Sequence, residues 1–162
     1  FGKMSYFDAS YHIPLIIRPP YGASEQNEMV QHFTESVDVM PTILQLAGER
    51  VPDYVEGRSL LPILTGEGDP SQHRETVRCE FYDALDQPDE SRATMLRNRR
   101  YKLSVYHGHG LGELYDLEKD PNEFDNLWDD PDHHAVKAEL LHQSFDAAMK
   151  AVDLGPDRVG PM

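Results

Sequence analysis

The run His12-Ile13-Pro14-Leu15-Ile16-Ile17-Arg18, closed by Pro19-Pro20, constrains the fold more than any other stretch of this chain. A strand with one wet face alternates apolar and polar residues. An unbroken apolar run belongs to a strand covered on both faces, usually in a parallel sheet flanked by helices. Such a strand needs neighbours, and no other segment has that character over a comparable length. Its partners are therefore expected in sequence preceding Phe1. The chain, which opens without an initiator Met, is expected to be the C-terminal part of something larger.

At 162 residues the chain fits one domain, or a small domain with a piece of another. The formal net charge of -14 argues against a nucleic-acid surface, since phosphate binding needs clustered Lys and Arg. Only Arg92 to Lys102 is locally basic. The single cysteine, Cys79, excludes an internal disulfide framework and is expected as a small core residue in an alternating run. It fits a reducing compartment, and a cytoplasmic location is the expectation. No stretch approaches the ~20 apolar residues of a membrane span, and no membrane partner is expected.

Residues 22 to 32 read as a polar loop and Phe33 to Val37 as a short extended piece. Asp38 then suits an N-cap, Pro41 the first turn and Gly48 a left-handed stop. Between them Met40, Ile43, Leu44 and Ala47 form an apolar stripe at helical spacing. Gly57 to Leu64 reads as a short helical turn or a packed loop. After a change of composition, Val77-Cys79-Phe81 and Tyr101-Leu103-Val105 alternate with polar residues, the pattern of half-buried antiparallel strands. Ala93 to Arg97 and Glu113 to Leu117 are their expected companions, through turns at Asn98 and His107-Gly108-His109-Gly110. A last helix is expected to start near Asp132, with Val136, Leu140, Leu141, Phe145 and Ala148 covering the sheet.

The expected fold class is α/β: the end of a large mixed sheet, plus a small antiparallel sheet covered by a C-terminal helix. The expected organisation is residues 1–66 as the end of the large domain, 67–75 as a linker, 76–152 as the sheet-and-helix subdomain, and 153–162 as a tail. That tail is expected to be extended or to cross onto a partner, which would make a homo-oligomer.

Phe1-Gly2-Lys3 with Tyr11 to Arg18, Ser36-Val37-Asp38-Val39-Met40-Pro41-Thr42-Ile43-Leu44 through Gly48, Gly57-Arg58-Ser59-Leu60-Leu61-Pro62, and Glu113 to Glu123 with Asn126-Leu127 occur in this order. Together they resemble the C-terminal end of a sulfatase-family hydrolase of the alkaline phosphatase superfamily. The resemblance implies a parent enzyme that hydrolyses sulfate or phosphonate/phosphate esters with a divalent metal (Ca, Mn or Mg) and a formylglycine. The formylglycine would be made from a Cys/Ser-x-Pro-x-Arg motif. That motif is absent here, since Cys79 is followed by Glu80-Phe81-Tyr82, and the metal ligands would also lie upstream. This chain is therefore expected to hold no metal and to be inactive alone.

Of the family's catalytic positions only Lys3 matches, and its implied role is to bind the small anionic ester substrate. A fixed ammonium there would stabilise charge developing on the non-bridging oxygens as the ester bond breaks. His12 stands where most of the family carries Arg and resembles the phosphonate monoester hydrolase branch.

Other polar groups read as structure. His107-Gly108-His109 lacks a third ligand and reads as a turn, and His133-His134 as a solvated first turn. Asp120, Asp125, Asp129, Asp130 and Asp132 lack the order of a calcium loop. Tyr82, Tyr101, Tyr106 and Tyr115 read as cross-strand packing, and Arg97, Arg99 and Arg100 as cations paired within the protein. Two other functions fit the sequence: a stand-alone binding or assembly module, and a phosphatase or phosphodiesterase of the same superfamily.

Overall fold

A computed structural model describes residues 5–18, 29–82 and 92–152. In chain order the elements are α1 (Asp8–Tyr11), α2 (Val39–Leu46), α3 (Leu61–Leu64), β1 (Val77–Tyr82), β2 (Arg92–Arg97), β3 (Tyr101–Tyr106), β4 (Leu111–Asp116) and α4 (His134–Lys150). The described residues fall into two compact units, one from 5–18, 74–82 and 92–144, the other from 29–73 and 145–152. The N-terminal segment thus groups with the sheet rather than with residues 29–66.

The sheet is a four-stranded antiparallel meander in the order β1-β2-β3-β4, built from the segments whose alternation marks them as strands. Asn98 closes the β2–β3 turn by accepting the N–H groups of Arg100 and Tyr101 at 2.9 and 2.6 Å. Between β3 and β4, Gly108 (φ 84°) and Gly110 (φ 65°) take left-handed conformations that a side chain would disfavour. The register puts Leu96, Leu103 and Leu114 on one face, and Met95, Lys102, Ser104 and Tyr115 on the other. All seven are buried, so both faces of the sheet's centre are covered.

On the leucine face, α4 supplies Leu140, which is equally buried, and Val136 and Leu140 line a shallow recess with Asn98 and Tyr101. The apolar stripe is narrower than the sequence implies. Leu141 and Phe145 are exposed, because they stand about 100° and about 140° round the helix from Leu140. The helix starts near Asp132 as expected: Asp130 accepts the N–H of Asp132 at 2.9 Å, and a 3-10 turn over Pro131–His133 leads into α4. At the outer strand Gly112 lies against the indole of Trp128, where a Cβ would stand 2.2 Å from Cζ3.

The run His12–Arg18 forms no strand. Its residues have no regular secondary structure, and Ile16 is 92% exposed. The apolar pattern of a doubly covered strand identifies a segment that requires neighbours on both sides, and the described residues offer it none to pair with. Among the described residues the small antiparallel sheet is formed, and the run at 12–18 pairs with no strand.

In the second unit a 3-10 turn over Ser36–Asp38 feeds α2, which ends at Gly48 (φ 76°). Asp38 is the N-cap residue of α2, as expected, but its side chain makes no cap bond to that helix. It closes a capping box with Glu35, accepting the Glu35 N–H at 2.9 Å from the third position of the turn. The buried face of α2 carries Pro41 and Thr42, while Met40, Ile43 and Ala47 of the expected inner stripe are exposed. Gly57 passes so close to the start of this helix that a Cβ would stand 2.0 Å from the Val37 carbonyl oxygen. The Gly-Arg-Ser-Leu signature therefore begins with the one residue type that permits this approach.

Arg100 sets one pH dependence. Its guanidinium makes a forked contact with Asp116, with Nη2 2.8 Å and Nε 3.2 Å from the carboxylate oxygens. Those hydrogen bonds hold the Asp116 carboxyl below its ordinary value of 3.8. A carboxyl depressed on folding stabilises the fold above its unfolded pKa and loses that contribution as pH falls through the folded one. The wild-type urea midpoint is therefore expected to fall more steeply below about pH 4 than that of Asp116→Asn. Parallel curves for the two proteins would sink this assignment.

Candidate functional site

Lys3, the one catalytic position matched by the sequence, lies outside the described residues. The segment that follows it is described and is held on the polar face of the sheet. The Tyr6 hydroxyl donates to the Ala93 carbonyl at 2.8 Å, and its ring meets Tyr11 at a centroid distance of 5.1 Å. Burial raises the Tyr6 phenol well above its ordinary value, so it remains a neutral donor. Cys79 and Phe81 pack half-buried against this cluster, where the cysteine acts as a small core residue.

Beside Tyr6 lies a group of charges drawn from distant parts of the sequence. Lys102, 1% exposed, donates from Nζ to the Tyr6 carbonyl at 2.8 Å and to Asp8 Oδ1 at 2.8 Å, and it pairs with Glu123. Glu123 in turn accepts the Asp8 N–H at 2.7 Å, and Arg97 Nη1 reaches Asp8 Oδ2 at 3.0 Å. Two cations and two carboxylates sum to zero, which is how a buried charged group is tolerated. Glu123 sits at φ 60°, a left-handed conformation uncommon for a residue with a side chain. The chain bends there to turn the carboxylate inward.

The rest of the Glu113-to-Leu127 signature supports that bend. Asn126 accepts the N–H groups of Leu114 and Trp128, each at 3.0 Å, and donates to the Gly112 carbonyl at 3.1 Å. Asp120 accepts the Asp125 N–H at 2.8 Å, so these acidic residues act as turn acceptors. Tyr106 donates to Glu113 at 3.3 Å, and burial pushes both Tyr106 and Tyr115 up to about 12. Tyr82 and Tyr101 occupy the opposite face, so the four tyrosines do not gather into a cleft.

The second unit has its own buried hub. Asp38 is 0% exposed and accepts from the Glu35 N–H, from the Arg58 N–H at 2.8 Å and from His73 Nε2 at 3.1 Å. Thr42 Oγ1 donates to the Asp38 carbonyl at 2.5 Å and accepts the Leu60 N–H at 2.9 Å. His73, in the segment expected as a linker, is thus a packed anchor. Sequence reading missed Lys102, Glu123, Asp8, Asp38 and His73 as a set. The only signal for any of them was that Glu123 and Asp38 lie inside two of the recurrent motifs.

No group of three or more His, Cys, Asp or Glu among the described residues is placed to hold a metal ion. His107 instead pairs with Thr94 Oγ1 at 2.9 Å, and His133 with Asp130 at 2.9 Å. Nor is any helix among the described residues long and apolar enough to cross a membrane.

A small antiparallel sheet covered by one helix, with its N-terminal segment tied across the other face, defines the C-terminal region of a sulfatase-type hydrolase. The chain belongs to that family: residues 1–150 match the family described as N-sulphoglucosamine sulphohydrolase, C-terminal. It is 34% identical, over 94% of its length, to the multifunctional alkaline phosphatase superfamily protein PehA of Trinickia caryophylli, of which it covers 31%. It is 36% identical, over 84% of its length, to the Δ4,5-hexuronate-2-O-sulfatase of Bacteroides thetaiotaomicron, of which it covers 28%. The phosphonate monoester hydrolase of Silicibacter pomeroyi superposes on 94% of the chain with a TM-score of 0.83 at 35% identity, the match covering 32% of that enzyme. The chain thus spans about a third of the length of the relatives it matches, and its fold is that of the sulfatases of alkaline phosphatase-like architecture.

Proposed function

We propose that this chain is the C-terminal part of a metal-dependent hydrolase of sulfate or phosphonate/phosphate esters, and that it is catalytically incomplete by itself. The observation that carries the reading is the family match over residues 1–150, with relatives from both ester classes at nearly equal identity. In this reading residues 1–66 close a large α/β domain of the parent, whose sheet the apolar run at 12–18 completes, while the stretch from Tyr6 to Tyr11 packs on the small sheet. Residues 76–152 form the subdomain beside it, 67–75 connect the two, and the tail at 153–162 takes part in assembly.

The described residues do not fit a divalent metal, and Cys79 lacks the context of a formylglycine precursor. Both groups are therefore assigned to the remainder of the parent. When bound there, a metal would offset negative charge at the ester. This chain contributes Lys3, whose ammonium holds the anionic end of the substrate and stabilises the charge that grows on it.

The experiment is a side-by-side assay of the full-length parent on an aryl sulfate and a phenyl phosphonate monoester, repeated with Lys3→Ala. Turnover of either ester is expected. Lys3→Ala is expected to lower kcat/KM by about 10²-fold, the usual consequence of losing one preorganised donor to a developing oxyanion. A parent sequence with no Cys/Ser-x-Pro-x-Arg motif would redirect the reading to a Ser- or Thr-dependent phosphatase or phosphodiesterase of the superfamily. No hydrolysis of either ester class would leave the binding-module reading in its place.

A further inference from the structure

The helix α4 is apolar on two opposite sides. Val136 and Leu140 lie toward the sheet, while Ala138, Leu141, Phe145 and Met149 form a second stripe on the far side, all within about 40° of Phe145 round the helix. Phe145 is 66% and Met149 56% exposed. A surface helix normally turns its charged side outward, and one that is apolar on both sides is suited to being covered on both. Along one flank of the outer stripe, about 60° to about 140° from Phe145, stand Glu139, His142, Asp146 and Lys150, all exposed. Read in reverse, this flank is its own complement: Lys150 falls against Glu139, and Asp146 against His142. The midpoints of the two pairs both lie within one residue of Phe145. Two helices packed antiparallel about a two-fold axis bring the same flank of each together, so a single register satisfies both pairs. That register also sets Phe145 against its own copy at the axis, and on either side it puts Leu141 against the small Ala148 and Met149 against the small Ala138. Charge and size thus select the same arrangement. A partner of another sequence would not require this face to match its own reverse.

We propose that the outer face of α4 is a two-fold interface whose occupant is α4 of a second copy of the same protein. Phe145 is its apolar centre, and Glu139 with Lys150 of the second copy, and His142 with Asp146 of the second copy, set its register. The apolar contact supplies the attraction, while the charged flank excludes other registers and the parallel orientation, in which this flank would meet the opposite one. The contact is made by α4 itself, within His134–Lys150, and needs no residue of the tail. It concerns assembly alone and holds whichever ester the parent cleaves.

The test is the mass of the full-length parent enzyme, measured by sedimentation over a dilution series. The wild type is expected to form an assembly with an even number of subunits. Phe145→Glu is expected to halve its mass, because it sets two carboxylates against each other in an apolar contact. Lys150→Glu places like charges opposite one another and is expected to raise the dissociation constant by about 10-fold or more. Adding Glu139→Lys reverses both partners and is expected to bring it back to within about 3-fold of wild type. Self-pairing predicts that rescue, and packing against the remainder of the same subunit does not. A parent that is monomeric throughout, or an assembly with an odd number of subunits, overturns the proposal. So does a Phe145→Glu variant that lowers the thermal midpoint and leaves the mass unchanged, which would mean that the upstream part of the same chain covers this face. A Lys150→Glu loss that Glu139→Lys fails to restore overturns it as well. Should Phe145→Glu fail to fold, Phe145→Ala takes its place: a rise of about 10-fold in the dissociation constant is then expected, and an unchanged value overturns the proposal.

Discussion

Asp38→Ala is expected to destabilise the chain by about 3–5 kcal/mol, a loss far above that of a typical surface substitution. The carboxylate is completely buried and serves donors from separate parts of the second unit: the Glu35 N–H, the Arg58 N–H and His73 Nε2. Alanine leaves all of them without an acceptor in a site that water does not reach. An unsatisfied buried donor costs about 1–3 kcal/mol, and partial relaxation keeps the total below the simple sum. Two companions locate the effect. Asp38→Asn keeps one acceptor oxygen but turns an amide donor toward existing donors, so it is expected to recover only about half of the loss. Arg58→Ala removes the guanidinium contact to the His73 carbonyl but keeps the backbone N–H on Asp38, and is expected to cost about 1 kcal/mol or less. Equilibrium urea denaturation of the three variants reads the series. An Asp38→Ala shift below about 1 kcal/mol would show that the hub is not what holds this unit together.

What the sequence disclosed follows from how far apart the interacting residues lie. The strands of the sheet were legible because Val77-Cys79-Phe81 and Tyr101-Leu103-Val105 alternate within a few residues, and adjacent strands pair through short turns. The body of α4 was legible in the same way, but its inward stripe was overdrawn. Period alone does not say whether an apolar residue such as Phe145 has a surface to meet. Residues 12–18 show the same gap more severely. An unbroken apolar run reports a demand for burial, and the described residues contain nothing that meets it. The buried charges were invisible for another reason. Lys102 and Asp8 are 94 residues apart, Asp8 and Glu123 115 apart, and Asp38 and His73 35 apart. Nothing in the local pattern at any of these positions points to its partner. The motifs carrying Asp38, Glu123 and Gly57 marked the places without giving the reasons, which are a capping carboxylate, a left-handed bend and a backbone crossing.

Lys102→Met is expected to cost about 3–5 kcal/mol, and Glu123→Gln added to it is expected to return more than half of that. Methionine matches the length and apolar stem of lysine, so packing volume is nearly unchanged and the loss reports charge. Removing the ammonium takes the paired cation from Glu123, leaves Asp8 with Arg97, and frees the Tyr6 carbonyl. An uncompensated carboxylate in a buried site costs far more than the intact pair contributes. Replacing one partner is therefore the damaging step, and replacing both is close to neutral. Glu123→Gln restores the balance, with Arg97 against Asp8, while its amide oxygen can still accept the Asp8 N–H. The inverted order, in which the pair is less stable than either single variant, would mean that the ion pair itself is strongly net stabilising. Thermal and urea unfolding of the singles and the pair decide between these cases.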